Sequence, residues 1–290
     1  MYEAHFGLAE PPFGLTPDTS FAYTSRSFQE ALNTLLVAAR SGEGFIKITG
    51  EVGTGKSLLC RTLLASLDES FSSAYIVHPS LKPRALLHAV ADELGIAVRQ
   101  TDDHHAVMKK LTDALLGLAA QDRRVVVCID EAQAMPLESL EALRLLTNVE
   151  TEKRKLLQVV LFGQPELDAN LAHRSVRQLR QRIVFQHRLR ELDRAELGNY
   201  LAHRLRVAGH RGEQVFGVRA ARQLHRASRG VPRLVNIIAH KALLLAFGEG
   251  LQEVRAAHVR AAIADTPAAR RARWWTGCTV FLARRAASPG

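Results

Sequence analysis

One glycine-rich octapeptide constrains this chain more than any other segment: Gly50-Glu51-Val52-Gly53-Thr54-Gly55-Lys56-Ser57. It matches the phosphate-binding pattern GxxxxGK[ST] at every fixed position. The apolar run at residues 45–49 predicts a buried strand before it, and an apolar stripe at helical spacing follows it. In such a junction, glycines let several backbone N–H groups point at one anion, and the helix N-terminus adds positive potential. The octapeptide therefore predicts a nucleoside triphosphate site.

Two side chains of this phosphate loop receive individual roles. Lys56 is predicted to reach the β- and γ-phosphates, and Ser57 to ligate Mg²⁺. The alternative is a glycine-rich turn that binds nothing, and the matching strand and helix on either side argue against it. The predicted nucleotide-binding residues of the loop are Gly50, Glu51, Val52, Gly53, Thr54, Gly55, Lys56 and Ser57.

Composition narrows the class of protein. The 290 residues are 47% hydrophobic and 23% charged, which is typical of a folded globular chain. The net charge of +10 favours anionic partners, namely nucleotide, nucleic acid or an inner membrane leaflet, although solvated basic helices would give the same balance. Three cysteines form no metal-binding spacing, which predicts reduced thiols in a cytosolic protein. No secretory signal and no run of eighteen apolar residues is present in the sequence.

The pattern of apolar residues changes near position 190. Before it, we predict strands at 45–49, 74–77, 124–129 and 157–162 and a fifth starting at 183, with helices between them. Unalternated apolar strands are typical of a parallel sheet covered on both faces. After it, four helices follow one another without a strand. This predicts an α/β domain over residues 1–190 with a Pro/Phe-rich arm at 1–25, a helical domain over 191–266, and a basic tail with tryptophans over 267–290.

A pair of carboxylates follows the predicted third strand. Asp130 and Glu131 would lie at the carboxyl edge of a parallel sheet, where ligands bind and where the phosphate loop also lies. Asp130 is therefore predicted to hold Mg²⁺ together with Ser57, and Glu131 to polarise a water for attack on the γ-phosphate. The alternative is an acidic pair that caps the next helix.

The chain resembles the AAA+ ATPases in three places: the phosphate loop, the Asp130-Glu131 pair after a strand, and Gly230-Val231-Pro232-Arg233 in the helical part. The resemblance implies a P-loop NTPase fold with a parallel five-stranded sheet and a C-terminal helical lid. It is closer still to the ExeA/MshM group over about residues 1–265, and residues 30–47 resemble especially its MshM branch, the ATPases of mannose-sensitive pilus biogenesis. The segments that carry this are Phe6-Gly7-Leu8, Pro12-Phe13-Gly14-Leu15-Thr16-Pro17-Asp18, the phosphate loop, Asp130-Glu131-Ala132-Gln133 and Phe162-Gly163-Gln164-Pro165-Glu166-Leu167.

The resemblance also implies roles for single residues. Gln164 matches the sensor-1 position, which reports on the γ-phosphate, and Arg233 matches the sensor-2 arginine of the lid. An arginine finger is expected to act on a neighbouring subunit; Arg182 matches that position best, with Arg177 and Arg180 as the other candidates.

Two further expectations concern the surroundings of the nucleotide. The adenine is expected under the N-terminal arm near Pro12, Phe13 and Tyr23, although these could simply be core residues. His78, after the second strand, is a candidate to hold Glu131 inactive until a partner binds.

The resemblance implies an ATPase that uses ATP and Mg²⁺ to assemble or remodel an envelope apparatus of the type IV pilus or type II secretion kind. The expected partners are further copies of the chain in a ring such as a hexamer, and envelope or pilus assembly proteins. The expected location is the cytoplasm at the periphery of the inner membrane, with the tail either touching the membrane or frayed. Two alternatives stay open: a DNA-associated ATPase of the TniB transposition type, and a nucleotide-dependent scaffold with little turnover.

Overall fold

The computed structural model describes residues 2–42, 44–149 and 155–269. These residues form two compact units. The α/β unit comprises Arg26–Val52 and Lys56–Arg190, and the helical unit comprises residues 2–25, Gly53–Gly55 and residues 191–269. The arm at 2–25 thus groups with the helices and not with the α/β part to which the sequence-based boundaries assigned it, because its apolar side chains are buried in the helical core.

The α/β unit alternates helices and strands, as predicted. The second strand begins at Phe71, three residues before the predicted start, because Ser72 and Ser73 pair with the third strand although they are polar. The elements in chain order are α1 (Arg26–Ser41), β1 (Phe45–Thr49), α2 (Lys56–Ala65), β2 (Phe71–Ile76), α3 (Pro83–Glu93), α4 (His104–Ala120), β3 (Arg124–Ile129), α5 (Leu137–Leu146), β4 (Leu157–Gly163), α6 (Glu166–Ala172), α7 (Arg177–Arg180) and β5 (Ile183–Arg188).

The five strands form one sheet in the order β2-β3-β4-β1-β5, and every neighbouring pair is parallel. The prediction of a parallel five-stranded sheet is therefore confirmed. Since parallel strands end at the same edge, the residues that follow β3, β4 and β1 are neighbours there. The sheet order thus brings the sequence-distant segments after Ile129, Gly163 and Thr49 together.

Both faces of the sheet are covered. Along β3, Val125 and Val127 point into a core with α3, α4 and α5, whereas Val126 and Cys128 point into a second core with α1 and α2. Each of these side chains is at most 1% exposed. Burying one such side chain stabilises the fold by about 1.5–3 kcal/mol, which is why these strands show no polar alternation.

The helical unit is built from α8 (Arg194–Val207), α9 (Val218–Ser228), α10 (Pro232–Gly248) and α11 (Ala256–Ala264). α8 starts with a capping box: Asp193 Oδ1 accepts from the backbone N–H of Glu196 at 2.8 Å, and Glu196 Oε2 accepts from the N–H of Asp193 at 2.9 Å. The turn before α10 needs a glycine, because Gly230 has φ +78° and a Cβ there would lie 2.0 Å from the Leu192 carbonyl oxygen.

The N-terminal arm is held to the helices by a buried arginine. Arg204 of α8 is 7% exposed, its Nε donates to the Pro12 carbonyl at 2.6 Å, and its guanidinium lies 4.5 Å from the centre of the Phe21 ring. Phe13 packs edge-on against Phe216 with ring centres 5.8 Å apart. Phe13 is thus a core residue of the helical unit, which supports the alternative to the expected adenine contact.

Within the described ranges, no helix combines the length and the apolar character needed to cross a bilayer. Residues 270–290 of the tail that was expected to touch a membrane, with the paired Trp274 and Trp275, lie outside the described residues.

Candidate functional site

The phosphate loop joins β1 to α2 at the carboxyl edge of the sheet. Gly53 and Gly55 have φ of +83° and +103°, a conformation that glycine adopts without the steric cost of a Cβ. Helix α2 begins at Lys56, so the N–H groups of its first turn have no partners within the helix and can bind an anion. The loop therefore has the backbone conformation that the sequence pattern predicts.

Lys56 is buried inside this junction, with 5% of its surface exposed. Its Nζ donates to the carbonyl oxygens of Gly50 at 2.8 Å and Glu51 at 3.0 Å. Burial lowers the pKa of Lys56, and the negative charges of Glu131 and Asp130 act against that shift. The ammonium is thus held by neutral carbonyls, which it can exchange for phosphate oxygens.

Asp130 follows β3 directly and is 3% exposed. Its Oδ1 accepts from the backbone N–H of Glu131 at 2.9 Å, and its Oδ2 accepts from the Tyr75 hydroxyl at 3.3 Å. Burial and then the charge of Asp130 raise the pKa of Tyr75 to about 12, so the hydroxyl stays a donor at neutral pH. Tyr75 was not predicted; the signal that could have found it is its place near the end of β2, the strand beside β3.

Glu131 has a left-handed backbone, with φ +50°, which is uncommon for a residue with a Cβ and is often found at functional sites. Its Oε2 accepts from the side-chain amides of Gln164 at 3.0 Å and Gln133 at 2.5 Å. Burial opposes ionisation of Glu131, but the bonds from Gln164 and Gln133 and the charge of Lys56 outweigh it, so the pKa of Glu131 is lowered. A half-buried, anionic carboxylate is thereby fixed beside the phosphate loop.

The sheet order explains how Gln164 reaches this carboxylate. β4 lies between β3 and β1, so Gln164 at its end is flanked by Glu131 on one side and the loop on the other. Gly50 N–H donates to Gly163 O at 3.2 Å, which ties the start of the loop to the end of β4. His78 is exposed, and the two hydrogen bonds described for Glu131 come from Gln133 and Gln164, so the role expected of His78 stays a prediction.

The candidate finger arginines lie elsewhere on the α/β unit. Arg182 precedes β5, and its neighbour Ile183 pairs with Phe45 at the start of β1. Because β1 is parallel to β5, Arg182 lies at the amino edge of the sheet, opposite the phosphate loop. Arg177 and Arg180 are exposed on α7. Arg182, at the amino edge, is therefore not placed to act on the loop of its own sheet.

Arg233 belongs to the helical unit, where it is the second residue of α10. Within that unit, its backbone N–H donates to Gly53 O at 3.2 Å. A Cβ at Gly53 would lie 2.5 Å from Cβ of Arg233, so this close approach depends on a glycine.

The donor set at the sheet edge fits Mg²⁺ bound together with a phosphate. In the part of the chain that the structure describes, no group of three or more His, Cys, Asp or Glu side chains could hold a metal by itself. Mg²⁺ usually takes one or two carboxylates, waters and substrate phosphates instead. Buried Asp130 offers the carboxylate, and half-buried Ser57 in the first turn of α2 offers a hydroxyl.

Comparison with known proteins agrees with this fold. Residues 39–171 match the family described as "AAA domain". The parallel sheet, the loop at its carboxyl edge and the following helices together define an α/β P-loop NTPase fold of the AAA+ type.

One curated relative is similar over almost the whole chain. Over 284 aligned residues the chain is 40% identical to General secretion pathway protein A of Aeromonas hydrophila. The aligned region covers 98% of this chain and 52% of the relative. The chain therefore spans about half the length of that relative. The match supports the ExeA part of the predicted resemblance, whereas the narrower MshM resemblance stays a prediction.

Several solved structures share the fold at low identity. Cdc6p of Pyrobaculum aerophilum has a TM-score of 0.65 at 17% identity, covering 86% of this chain and 70% of that one. The Drosophila ORC bound to DNA has a TM-score of 0.64 at 19% identity, covering 90% and 65%. The Thermotoga maritima RuvB Holliday junction branch migration motor has a TM-score of 0.54 at 15% identity, covering 85% and 72%. At these identities the likeness is one of fold alone.

Proposed function

We propose that this protein binds ATP with Mg²⁺ and hydrolyses it to ADP and phosphate. The observation that carries the proposal is the Glu131 carboxylate, which two glutamine amides orient at the same sheet edge as Lys56 and Asp130. A site that only held a nucleotide would need the loop and the lysine, but no oriented carboxylate beside them.

Binding is assigned to the phosphate loop and its cation. The backbone of Gly50–Ser57 would hold the phosphates, and Lys56 would exchange its two carbonyl partners for β- and γ-phosphate oxygens. Ser57 and Asp130 would hold Mg²⁺, which when bound neutralises phosphate charge.

Hydrolysis is assigned to Glu131. Its carboxylate would accept a proton from a water whose oxygen attacks the γ-phosphorus, while the bond from that phosphorus to the bridging oxygen of ADP breaks. Gln164, at the end of the central strand, would report on the γ-phosphate through its side-chain amide. Arg233 of the helical unit is assigned the sensor-2 role toward the β- and γ-phosphates.

A complete site would require a second copy of the chain. Arg182 lies at the amino edge of the sheet, opposite its own phosphate loop, and this position suits an arginine that stabilises transition-state charge on a neighbouring subunit. We therefore propose a ring-shaped homo-oligomer, such as a hexamer.

The proposed role is the assembly or remodelling of an envelope apparatus of the type II secretion kind, from the cytoplasmic periphery of the inner membrane. The 40% identity to General secretion pathway protein A supports it. A role in mannose-sensitive pilus biogenesis is the narrower form of the same proposal.

The decisive variant is Glu131→Gln, which keeps the size of the side chain and removes its ability to take a proton. We expect ATP affinity to stay within a few-fold of wild type, whereas turnover falls roughly 100-fold or more. Glu69→Gln, at an exposed carboxylate between α2 and β2, is the matched control. ATP hydrolysis at the wild-type rate by Glu131→Gln would remove Glu131 as the base.

The same variant separates the alternative roles. Affinity capture with Glu131→Gln and ATP should recover envelope-assembly proteins. The net charge of +10 favours the DNA alternative, and ATP-tightened, salt-sensitive binding to duplex DNA would replace the secretion role with it. Absence of hydrolysis by the wild type with each of these partners would leave a scaffold.

A further inference from the structure

Gln133 makes more connections at the sheet edge than any role assigned so far requires. Its Nε2 donates to Glu131 Oε2 at 2.5 Å, and its Oε1 accepts from the backbone N–H of Gln164 at 2.9 Å. Its backbone carbonyl oxygen accepts from the side-chain amide of Asn170, a residue of α6, at 2.9 Å. One residue thus joins the end of β3, the end of β4 and α6.

The two ends of the Gln133 side-chain amide bond to different groups. The donor end fixes one oxygen of the Glu131 carboxylate, and the acceptor end fixes the main chain at Gln164, not its side chain. Gly163 leaves room for this arrangement, since a Cβ there would lie 3.3 Å from Gln133 Oε1. Among the described residues, the two hydrogen bonds to the Glu131 carboxylate both end on Oε2, which leaves Oε1 to take a proton.

We propose that Gln133 is the positioning residue of the base: it anchors Glu131 to the end of the central strand and keeps the carboxylate in place when the Gln164 side chain turns toward a γ-phosphate. This inference rests on the proposed function. Gln164 then has an exchangeable amide, which can leave Glu131 for a phosphate oxygen, whereas Gln133 has a fixed one, because its other end is bonded to backbone.

The test uses two substitutions of similar size. Gln133→Met removes donor and acceptor together. Gln133→Glu keeps an acceptor for the Gln164 N–H but removes the donor to Glu131. A charge-assisted hydrogen bond is worth roughly a 10- to 100-fold factor, so we expect both variants to lose kcat by about that much, with KM for ATP within about twofold of wild type. Gln178→Met, at an exposed glutamine of α7, is the control and should match wild type.

A purely structural role and a positioning role for Gln133 predict different results when Gln133→Met is combined with Glu131→Gln. A positioning residue acts only through Glu131, so adding Gln133→Met to Glu131→Gln should change neither the residual single-turnover rate nor ATP affinity by more than about twofold. Loss of rate or affinity in that background would overturn the proposal, as would a wild-type kcat for Gln133→Met. If instead Glu131→Gln alone turned over like wild type, the proposed base would fail, and the Gln133 proposal would fail with it for that separate reason.

Discussion

The two halves of the candidate site are constructed in opposite ways. The phosphate side is formed by one continuous segment, and the Lys56 bonds to the Gly50 and Glu51 carbonyls lie within it. The water-activating side joins β3 and β4, since Glu131 and Gln164 are brought together only by the sheet.

Because the two sides are built from different segments, ATP binding and ATP turnover should fail separately. Damage to the phosphate side removes an anion's partners and leaves the sheet edge intact. Damage to the water-activating side misdirects a carboxylate and leaves the loop intact. Variants that affect both equally would contradict this separation.

The largest expected effect is that of Lys56→Ala, which deletes the loop's cation. Loss of charge-assisted bonds to phosphate oxygens should weaken ATP binding at least about 100-fold, measured by calorimetry. Lys109→Ala, at an exposed lysine of α4, should bind ATP like wild type. Retention of wild-type affinity by Lys56→Ala would show that the loop does not bind through this lysine.

A middle-sized effect is expected from Gly163→Ala on the water-activating side. The new Cβ would lie 2.7 Å from Leu167 Cδ2 and 3.3 Å from Gln133 Oε1, so the Leu167 side chain must shift and Gln133 Oε1 must give by a few tenths of an ångström. We expect turnover to fall about tenfold and the free energy of unfolding to drop by about 1–3 kcal/mol, with ATP affinity little changed. The control is Gly117→Ala in α4, where a Cβ meets open space. Equal losses of affinity and turnover would count against separate halves.

The smallest effect is expected from Tyr75→Phe, which keeps the ring and removes one long hydrogen bond to Asp130. Because that bond orients the carboxylate assigned to Mg²⁺, the Mg²⁺ concentration for half-maximal ATPase activity should rise by roughly two- to tenfold. The maximal rate at saturating Mg²⁺ should recover to near the wild-type value. A lowered maximal rate with unchanged Mg²⁺ dependence would assign Tyr75 to the base and not to the metal.

Much of the fold could be predicted, because its strands are strongly apolar. The runs at 45–49 and 124–129 match β1 and β3 residue for residue, since both are buried on two faces. The first half of β2 could not be predicted, because Ser72 and Ser73 gain their strand conformation from pairing with β3. The arm's place in the helical core was also missed, since Arg204 and Pro12 are 192 residues apart in the chain.

The residues of the candidate site likewise fall into those that the sequence could predict and those that it could not. Residues within one motif, Gly50–Ser57 and Asp130-Glu131, could be named from spacing alone. Gln133 lies two residues after Glu131, but its role depends on the end of β4, 31 residues further along the chain. His78 was named because its place after a strand is visible in the sequence, whereas the direction of the Gln133 side chain is not.

The hydrogen bond from Arg204 to the arm can form only late in synthesis of the chain. The arm leaves the ribosome before α8 does, because Arg204 of α8 lies 192 residues after Pro12. Translation adds about 5–20 residues per second, so roughly 10–40 s pass between synthesis of the arm and synthesis of Arg204. Phe13 and Phe21 cannot pack into the helical core before then. During that interval the exposed aromatic residues are a target for chaperones, and slower translation of the α/β region would lengthen their exposure.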